Sequence, residues 1–263
     1  VSWSLISAGF ATGFLVGLTG VGGGALMTPL LLLVFGVAPQ TAVGTDLLFA
    51  SVTKIAATRV FQGNGFVDWE IVKRLWWGSL PAAALTLLWI HNLSSNGQDV
   101  AFLKRAIAGA ILLAVMSLLL QPALHVLSKR YFLVNGQEIR GLQGIWTIFA
   151  GALLGTLMTL TSVGAGALGV ILLTHLYPIR LTPPRLVATD IAHAIPLALF
   201  GGLGHMLLGN VDFSILGTLL IGSVPGAFLG ALLTSHLSHT LLRSILSMTL
   251  LIFGSKLWWS VLP

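Results

Sequence analysis

Lys54 is the residue most at odds with its surroundings. It stands eleven residues beyond Val43 in an apolar run that reaches Phe61, and an ammonium at membrane depth is costly, rare and functional by default. Asp46, Ala50, Thr53, Lys54 and Ala57 recur at i, i+4, i+7, i+8 and i+11, which puts them on one face of a helix. Two roles suit the lysine: counter-charge for an anionic substrate, or an internal ion pair with Asp46 or Asp190. Asp190 and His193 are i, i+3 neighbours, with His205 further along on roughly the same side. Carboxyl and imidazole groups can change protonation during transport, so Asp46, Asp190 and His193 are candidates for coupling. The alternative is that both aspartates cap helix starts and His193 bonds a carbonyl.

Two glycine-rich tracts carry the second kind of chemistry. Thr19-Gly-Val-Gly-Gly-Gly24 and Thr161-Ser-Val-Gly-Ala-Gly166 interrupt the apolar stretches Trp3 to Phe35 and Ile145 to Leu176. Each stretch is too long for one straight spanning helix, which needs roughly 20 residues. Arms of about 12–16 residues either side reach roughly 18–24 Å at 1.5 Å per residue, so each stretch reads as a helical hairpin with its tip inside the membrane. Where the returning arm begins a helix, three or four N–H groups lack intrahelical partners and the positive end of the dipole points at the tip. Gly22, Gly23, Gly24, Gly164 and Gly166 leave room for a ligand, and Thr19, Thr161 and Ser162 add hydroxyls. Such a place suits a small oxyanion. Gly9, Gly13 and Gly17, by contrast, have the spacing of simple close helix packing.

The elements that position these groups follow from composition. Hydrophobic residues are 56% of the 263-residue chain, charged residues 8%, and mean hydropathy is +0.98. A soluble domain carries about 25% charged residues, so disordered, coiled-coil and nucleic-acid-binding classes are excluded. The net charge of +6 fits the basic loops of a membrane protein and calls for no nucleic-acid partner. With no cysteine there is no disulfide, thiolate nucleophile or cysteine metal site. Six further segments have spanning length: Val43 to Phe61, Ile71 to Ile90, Ala101 to Leu120, Val187 to His205, Phe213 to Leu233 and Leu241 to Leu262. Val1 to Leu18 has no basic start and reads as a hairpin arm, not a cleavable leader.

The halves repeat one another. The two glycine tracts match with their following Ala-Leu at six of eight positions, at an offset of 142 (19 to 161). Val43-Gly-Thr-Asp46 matches Val187-Ala-Thr-Asp190 at an offset of 144, as do Gly65-Phe-Val-Asp68 with Gly209-Asn-Val-Asp212 and Gly78-Ser-Leu-Pro81 with Gly222-Ser-Val-Pro225. Four blocks in order mark a duplication. Charge orients it. Gly36 to Ala42 has no Lys or Arg, whereas in the second half Arg180 and Arg185 follow the hairpin; Arg59, Lys73 and Arg74 flank Gly63 to Trp69, whereas Gly209 to Asp212 is bare. Equivalent loops therefore fall on opposite sides. The expectation is an all-α, multi-pass fold of two inverted repeats, each a glycine-tipped broken helix or hairpin followed by three transmembrane helices. Residues 1–120 form the first repeat, 121–143 a cytoplasmic linker and 144–263 the second. Both termini then lie outside; Lys104 and Arg105, placed outside with them, run against the rule.

Asp68 and Asp212 stand where N-caps are expected. Pro81, Pro196 and Pro225 are expected to kink their helices, while Trp76, Trp77, Trp258 and Trp259 read as interfacial anchors and His205 as an interfacial histidine. No Walker tract, Gly-x-Ser-x-Gly or His-Glu-x-x-His occurs, so neither ATP-driven transport nor common hydrolase chemistry is supported and the chain is not read as an enzyme.

Gly17-Leu-Thr-Gly-Val-Gly-Gly-Gly24, Pro29 and Pro39-Gln-Thr-Ala-Val-Gly-Thr-Asp46 closely resemble the signature of the TauE/SafE sulfite exporter family, and Val187-Ala-Thr-Asp-Ile-Ala-His193 with Gly204-His205 resembles its second repeat. The resemblance implies movement of sulfite, sulfoacetate or similar small sulfur anions across the bacterial cytoplasmic (inner) membrane. The reading is a secondary transporter working by alternating access, ion- or proton-coupled. Substrate would meet Thr19, Gly22, Gly23, Gly24, Lys54, Thr161, Ser162, Gly164 and Gly166, with Asp46, Asp190 and His193 coupling. No cofactor or bound metal is expected; the partners are a small anion and membrane lipid, with a homo-oligomer left open. A passive anion channel and a cation or metal transporter using the Asp and His residues are the alternatives; the second needs three or four such side chains to converge.

Overall fold

The structure, a computed structural model, describes residues 2–19, 24–58, 66–94, 100–164, 166–233 and 239–259. Among them there are helices and no strands: α1 (Trp3–Thr19), α2 (Gly24–Leu33), α3 (Pro39–Thr58), α4 (Trp69–Ser94), α5 (Val100–Thr161), α6 (Ala167–Leu176), α7 (Pro183–Leu207), α8 (Phe213–Leu233) and α9 (His239–Trp259). Among the described residues four segments are long and apolar enough to cross a membrane: Phe102–Gln121, Leu142–Thr161, Pro184–Leu207 and Phe213–Leu233. Large apolar side chains such as Leu85, Leu119, Phe149, Ile221 and Met248 face outward, the surface that hydrocarbon, not water, would cover.

The second over-long stretch is broken at its glycine tract, while in the first the described helices flank residues 20–23, which lie outside the described residues. α1 ends at Thr19 and α2 begins at Gly24; α5 ends at Thr161 and α6 begins at Ala167. The returning arms α2 and α6 have 10 residues each, shorter than expected and about 15 Å long. Gly22 and Gly23 lie outside the described residues, as does Ala165. The stretch 121–143, expected as a linker, is helical and continuous with α5. Helix starts follow local chemistry: Pro39 and Pro183 occupy first-turn positions, where the missing N–H costs nothing. Asp212 caps α8 by accepting the N–H groups of Ser214 and Ile215 at 2.9 Å. α4, α7 and α8 continue through Pro81, Pro196 and Pro225.

Small residues set the packing. A methyl on Gly9 or Gly13 of α1 would strike the Leu219 or Ser223 carbonyl of α8, and one on Gly222 would strike Ile6. The same contacts recur between α4 and the end of α5: Gly151 meets Leu75, Gly155 meets Ser79 and Gly78 meets Ile148. These pairs are the equivalents of the first set at the sequence offsets of 142 and 144. Backbones in such contact gain dispersion without needing bulky side chains. α3 and α7 also pack closely, with Gly44 against His205, Leu47 against Gly201 and Leu48 against Gly202; the early turns of α3 meet the late turns of α7, while Lys54 further along α3 reaches Asp190 early in α7, so the two run antiparallel. At the two ends of that pair, Thr45 accepts the Asp212 N–H and Thr189 accepts the Asp68 N–H, each at 3.0 Å.

Candidate functional site

The middle of α3 and α7 gathers ionisable side chains that are all at most 3% exposed: Asp46, Lys54, Asp190 and His193. Asp46 and Asp190 lie two turns inside their helices, which start at Pro39 and Pro183; they are not helix caps. Asp46 is tied to the first hairpin instead. Thr28 of α2 donates both its N–H, at 3.0 Å, and its hydroxyl to Asp46 Oδ2. From the second hairpin, Ser162 stands close enough to act on the Asp46 carboxyl, yet neither Ser162 Oγ nor Asp46 Oδ1 completes a hydrogen bond.

Asp190 sits at the start of α6. The Gly166 N–H faces its carboxylate, and Oδ1 lies so close to Gly169 that a methyl there would collide with it. Leu168 and Gly169 donate their N–H groups to Gly164 O at 3.2 and 3.1 Å. The tip therefore offers fewer free donors than a bare helix end, and an internal carboxylate takes the place where the helix dipole favours negative charge. Lys54 lies within electrostatic reach of both carboxylates, Asp190 more strongly than Asp46. Among the described residues its ammonium forms no ion pair within 4.0 Å.

His193 Nε2 pairs with Ser79 Oγ at 3.0 Å, and Trp76 donates its indole N–H to the His193 carbonyl at 3.3 Å. Trp76 is thus turned inward, while Trp77 and Trp259 are exposed as anchors should be. Ser223, the equivalent of Ser79, pairs with Thr53 at 3.1 Å. His205 is buried, with Nε2 on Thr159 O at 2.9 Å; it is not an interfacial residue.

The threonines named from sequence have local duties. Thr19 donates to Leu15 O at 2.8 Å. Thr161 donates to Leu157 O at 2.6 Å and accepts the Val163 N–H at 3.1 Å, closing the end of α5. The next residue, Ser162, is held at φ +59°, and Gly166 at φ +111°; the first is strained for any side chain with a Cβ, and the second is glycine territory. Strain of this kind gathers at functional sites. The fold thus brings Asp46, Lys54, Ser162, Gly166, Asp190 and His193 together. Gly164 supplies the carbonyl that steadies α6, and Gly24 opens α2.

Asp46 Oδ1, Asp190 Oδ1, Ser162 Oγ, Thr159 Oγ1 and His193 Nδ1 are all buried without a hydrogen-bond partner. Buried polar atoms are nearly always satisfied, so the unsatisfied atoms of Asp46, Asp190 and His193, each within electrostatic reach of Lys54, mark a place built for more than folding. Sequence reading missed Thr28 and the paired Ser79 and Ser223. The serines had a signal in the repeated Gly-Ser-x-Pro block; Thr28 had only its polarity within an apolar arm. Among the described residues no three His, Asp or Glu side chains converge as a metal site would require.

One end of the molecule carries the remaining ionic chemistry. Arg180 grips Asp68 with two hydrogen bonds of 2.7 and 2.9 Å and reaches Glu70 at 2.7 Å. Glu70 also holds Arg74, and Arg185 lies 3.7 Å from Asp68. Asp68 accepts the Ile71 N–H only loosely, at 3.4 Å; its capping duty is secondary to binding arginine.

The sulfite exporter TauE/SafE family profile matches residues 5–257. A Bacillus subtilis (strain 168) protein described as probable membrane transporter protein YjnA is 35% identical over 260 residues, covering 98% of this chain and 100% of the relative. Probable membrane transporter protein YunE from the same organism is 33% identical over 84 residues, 30% of this chain and 31% of its own. No solved structure gives a significant match.

Proposed function

This chain belongs to the sulfite exporter TauE/SafE family, and on that premise we propose that it is a secondary transporter of a small sulfur-containing oxyanion, sulfite or an organosulfonate, in a bacterial cytoplasmic membrane. The observation that carries the reading is Lys54: a buried ammonium without a close ion pair, beside a strained hairpin tip whose Ser162 hydroxyl is unpartnered. Lys54 has carboxylates within electrostatic reach but no close pairing, which is unfavourable in a low-dielectric interior, and an oxyanion seated between Lys54, Ser162 and the start of α6 would supply acceptors at close range.

Two inverted-topology repeats suit this function. The antiparallel course of α3 and α7, which carry equivalent motifs, supports that relation, as does the exchange of equivalent glycine contacts between α1–α8 and α4–α5. Binding sites at the interface of such repeats are accessible from either side when one repeat rocks against the other. The meeting of Lys73, Arg74, Arg180 and Arg185 around one end favours that end as cytoplasmic. Asp46, Asp190 and His193 provide the groups for ion or proton coupling.

The test is a thermal-shift titration of purified protein with sulfur oxyanions, carboxylates and divalent metals. Saturable stabilisation by a sulfur anion that weakens at least tenfold in Lys54→Ala, a loss of about 1.4 kcal/mol, supports the reading. Stabilisation by a metal alone, or by an anion equally in both proteins, contradicts it.

A further inference from the structure

The two equivalent aspartates are not equivalent in their surroundings. Asp46 keeps two donors from Thr28 whatever Lys54 does. Among the described residues no hydroxyl donates to Asp190: the Gly166 N–H and Lys54 face its carboxylate, Oδ1 lies against Gly169, and Oδ1 completes no hydrogen bond. Those same two groups, a helix-start N–H and a lysine, are what an incoming oxyanion would use. Resting on the anion-transport reading above, we propose that Asp190 occupies the anion's own seat between α6 and Lys54, and leaves it by taking up the proton that travels with the substrate.

The charges balance simply. The buried site holds two carboxyl groups, one amine and the His193 imidazole, whose Nε2 stays paired with Ser79. When a monoanion engages Lys54 and the Gly166 N–H, Asp190 loses both of its supports within a dry interior. A proton entering from the aqueous side then open binds Asp190 and leaves the site's total charge as it was before the anion arrived. When the anion departs on the other side, Lys54 and the start of α6 are again free to stabilise the carboxylate, and the proton leaves.

The groups around Asp190 leave few competitors for this role. α3 presents Lys54 and Asp46; α7 itself presents His193, whose Nε2 is engaged by Ser79 while its ring lies within reach of the Lys54 charge. From α4 the neighbours are Ser79 and Trp76, with Asp68 at the helix start bound to Arg180 and, through its N–H, to Thr189. Just beyond α5, the Ser162 hydroxyl faces Asp46, and α6 offers only backbone at the contact with Asp190. Asp46 is distinguished by its fixed Thr28 donors.

Isothermal titration of the whole purified protein with methanesulfonate, which does not itself titrate, and with sulfite, in buffers of differing ionisation enthalpy, reads the protons bound. Wild type is expected to take up about one proton per anion, its affinity falling about tenfold per pH unit across the range where Asp190 exchanges its proton. Asp212→Asn, at a helix cap outside the site, keeps the uptake. Asp190→Asn binds the anion with uptake near zero, and Asp190→Glu regains it; should Asp190→Asn bind nothing, the Glu variant decides, since binding without uptake there overturns the proposal. Full uptake in Asp190→Asn, or anion binding without uptake in wild type, also overturns it and leaves the transport reading standing. Failure of wild type to bind either anion overturns the transport reading itself.

Discussion

Asp46 and Asp190 occupy the same place in a duplicated motif, yet one is fastened and the other is not. Thr28 donates twice to Asp46, while the position equivalent to Thr28 in the second half is Val170 and offers no hydroxyl. The lysine has no counterpart either: 144 residues after Lys54 stands Ala198. The ends differ in the same spirit. Asp68 holds Arg180 and its neighbours, whereas Asp212 performs only helix capping. Duplication supplied a symmetric frame of glycine contacts, and single-residue divergence placed the charges.

The frame gives the largest expected effect. Gly13→Leu and Gly155→Leu each drive a side chain into the backbone of a serine on the facing helix, and each is expected to cost about 3 kcal/mol or more, read as lost monodisperse protein or a lowered melting temperature. Similar losses sharpen the symmetry of the frame; tolerance at one of the two breaks it. Thr28→Val comes next. It removes the hydroxyl donor to Asp46 and leaves the N–H, for an expected loss of about 2 kcal/mol in denaturant or thermal unfolding. Val170→Thr brings a hydroxyl to the second half and is expected to reduce the proton uptake that accompanies anion binding.

Much of the frame was legible because it is written in composition and spacing. The tract at Gly166 breaks an over-long stretch, Pro39 and Pro183 start helices, and Gly9, Gly13 and Gly17 have the spacing of close packing. Lys54 declared itself by charge alone. The continuity of α5 through residues 121–143 was not legible, since a polar composition does not distinguish an exposed helix from a loop. Nor was the Thr28–Asp46 contact, which joins residues 18 apart through a hairpin return that sequence periodicity cannot orient. The burial of His205 was missed for a related reason: proximity to a turn says little about which way a side chain points.

Smaller effects concern the ionic end. Arg180→Ala strips Asp68 of its two-pronged partner; because Arg180 is 42% exposed, solvent screening holds the expected loss to about 1 kcal/mol. No substitution at the Asp212 end should produce a matching salt-dependent loss. The smallest effect is one of pH. Hydrogen bonding to the Arg180 guanidinium holds the Glu70 carboxyl below its ordinary value of 4.5, so its contribution to stability is complete above that pH and is lost as pH falls further. A melting-temperature profile should therefore sag on the acid side in wild type and sag less in Arg180→Ala; identical profiles would remove Glu70 from the account.

The most direct test of the central claim is uptake of radiolabelled sulfite into proteoliposomes under an imposed proton gradient. The account predicts transient accumulation above the external concentration, collapse of that accumulation when the gradient is dissipated, and its loss in Lys54→Ala. Flux that only equilibrates across the membrane, or accumulation that Lys54→Ala leaves intact, would contradict it.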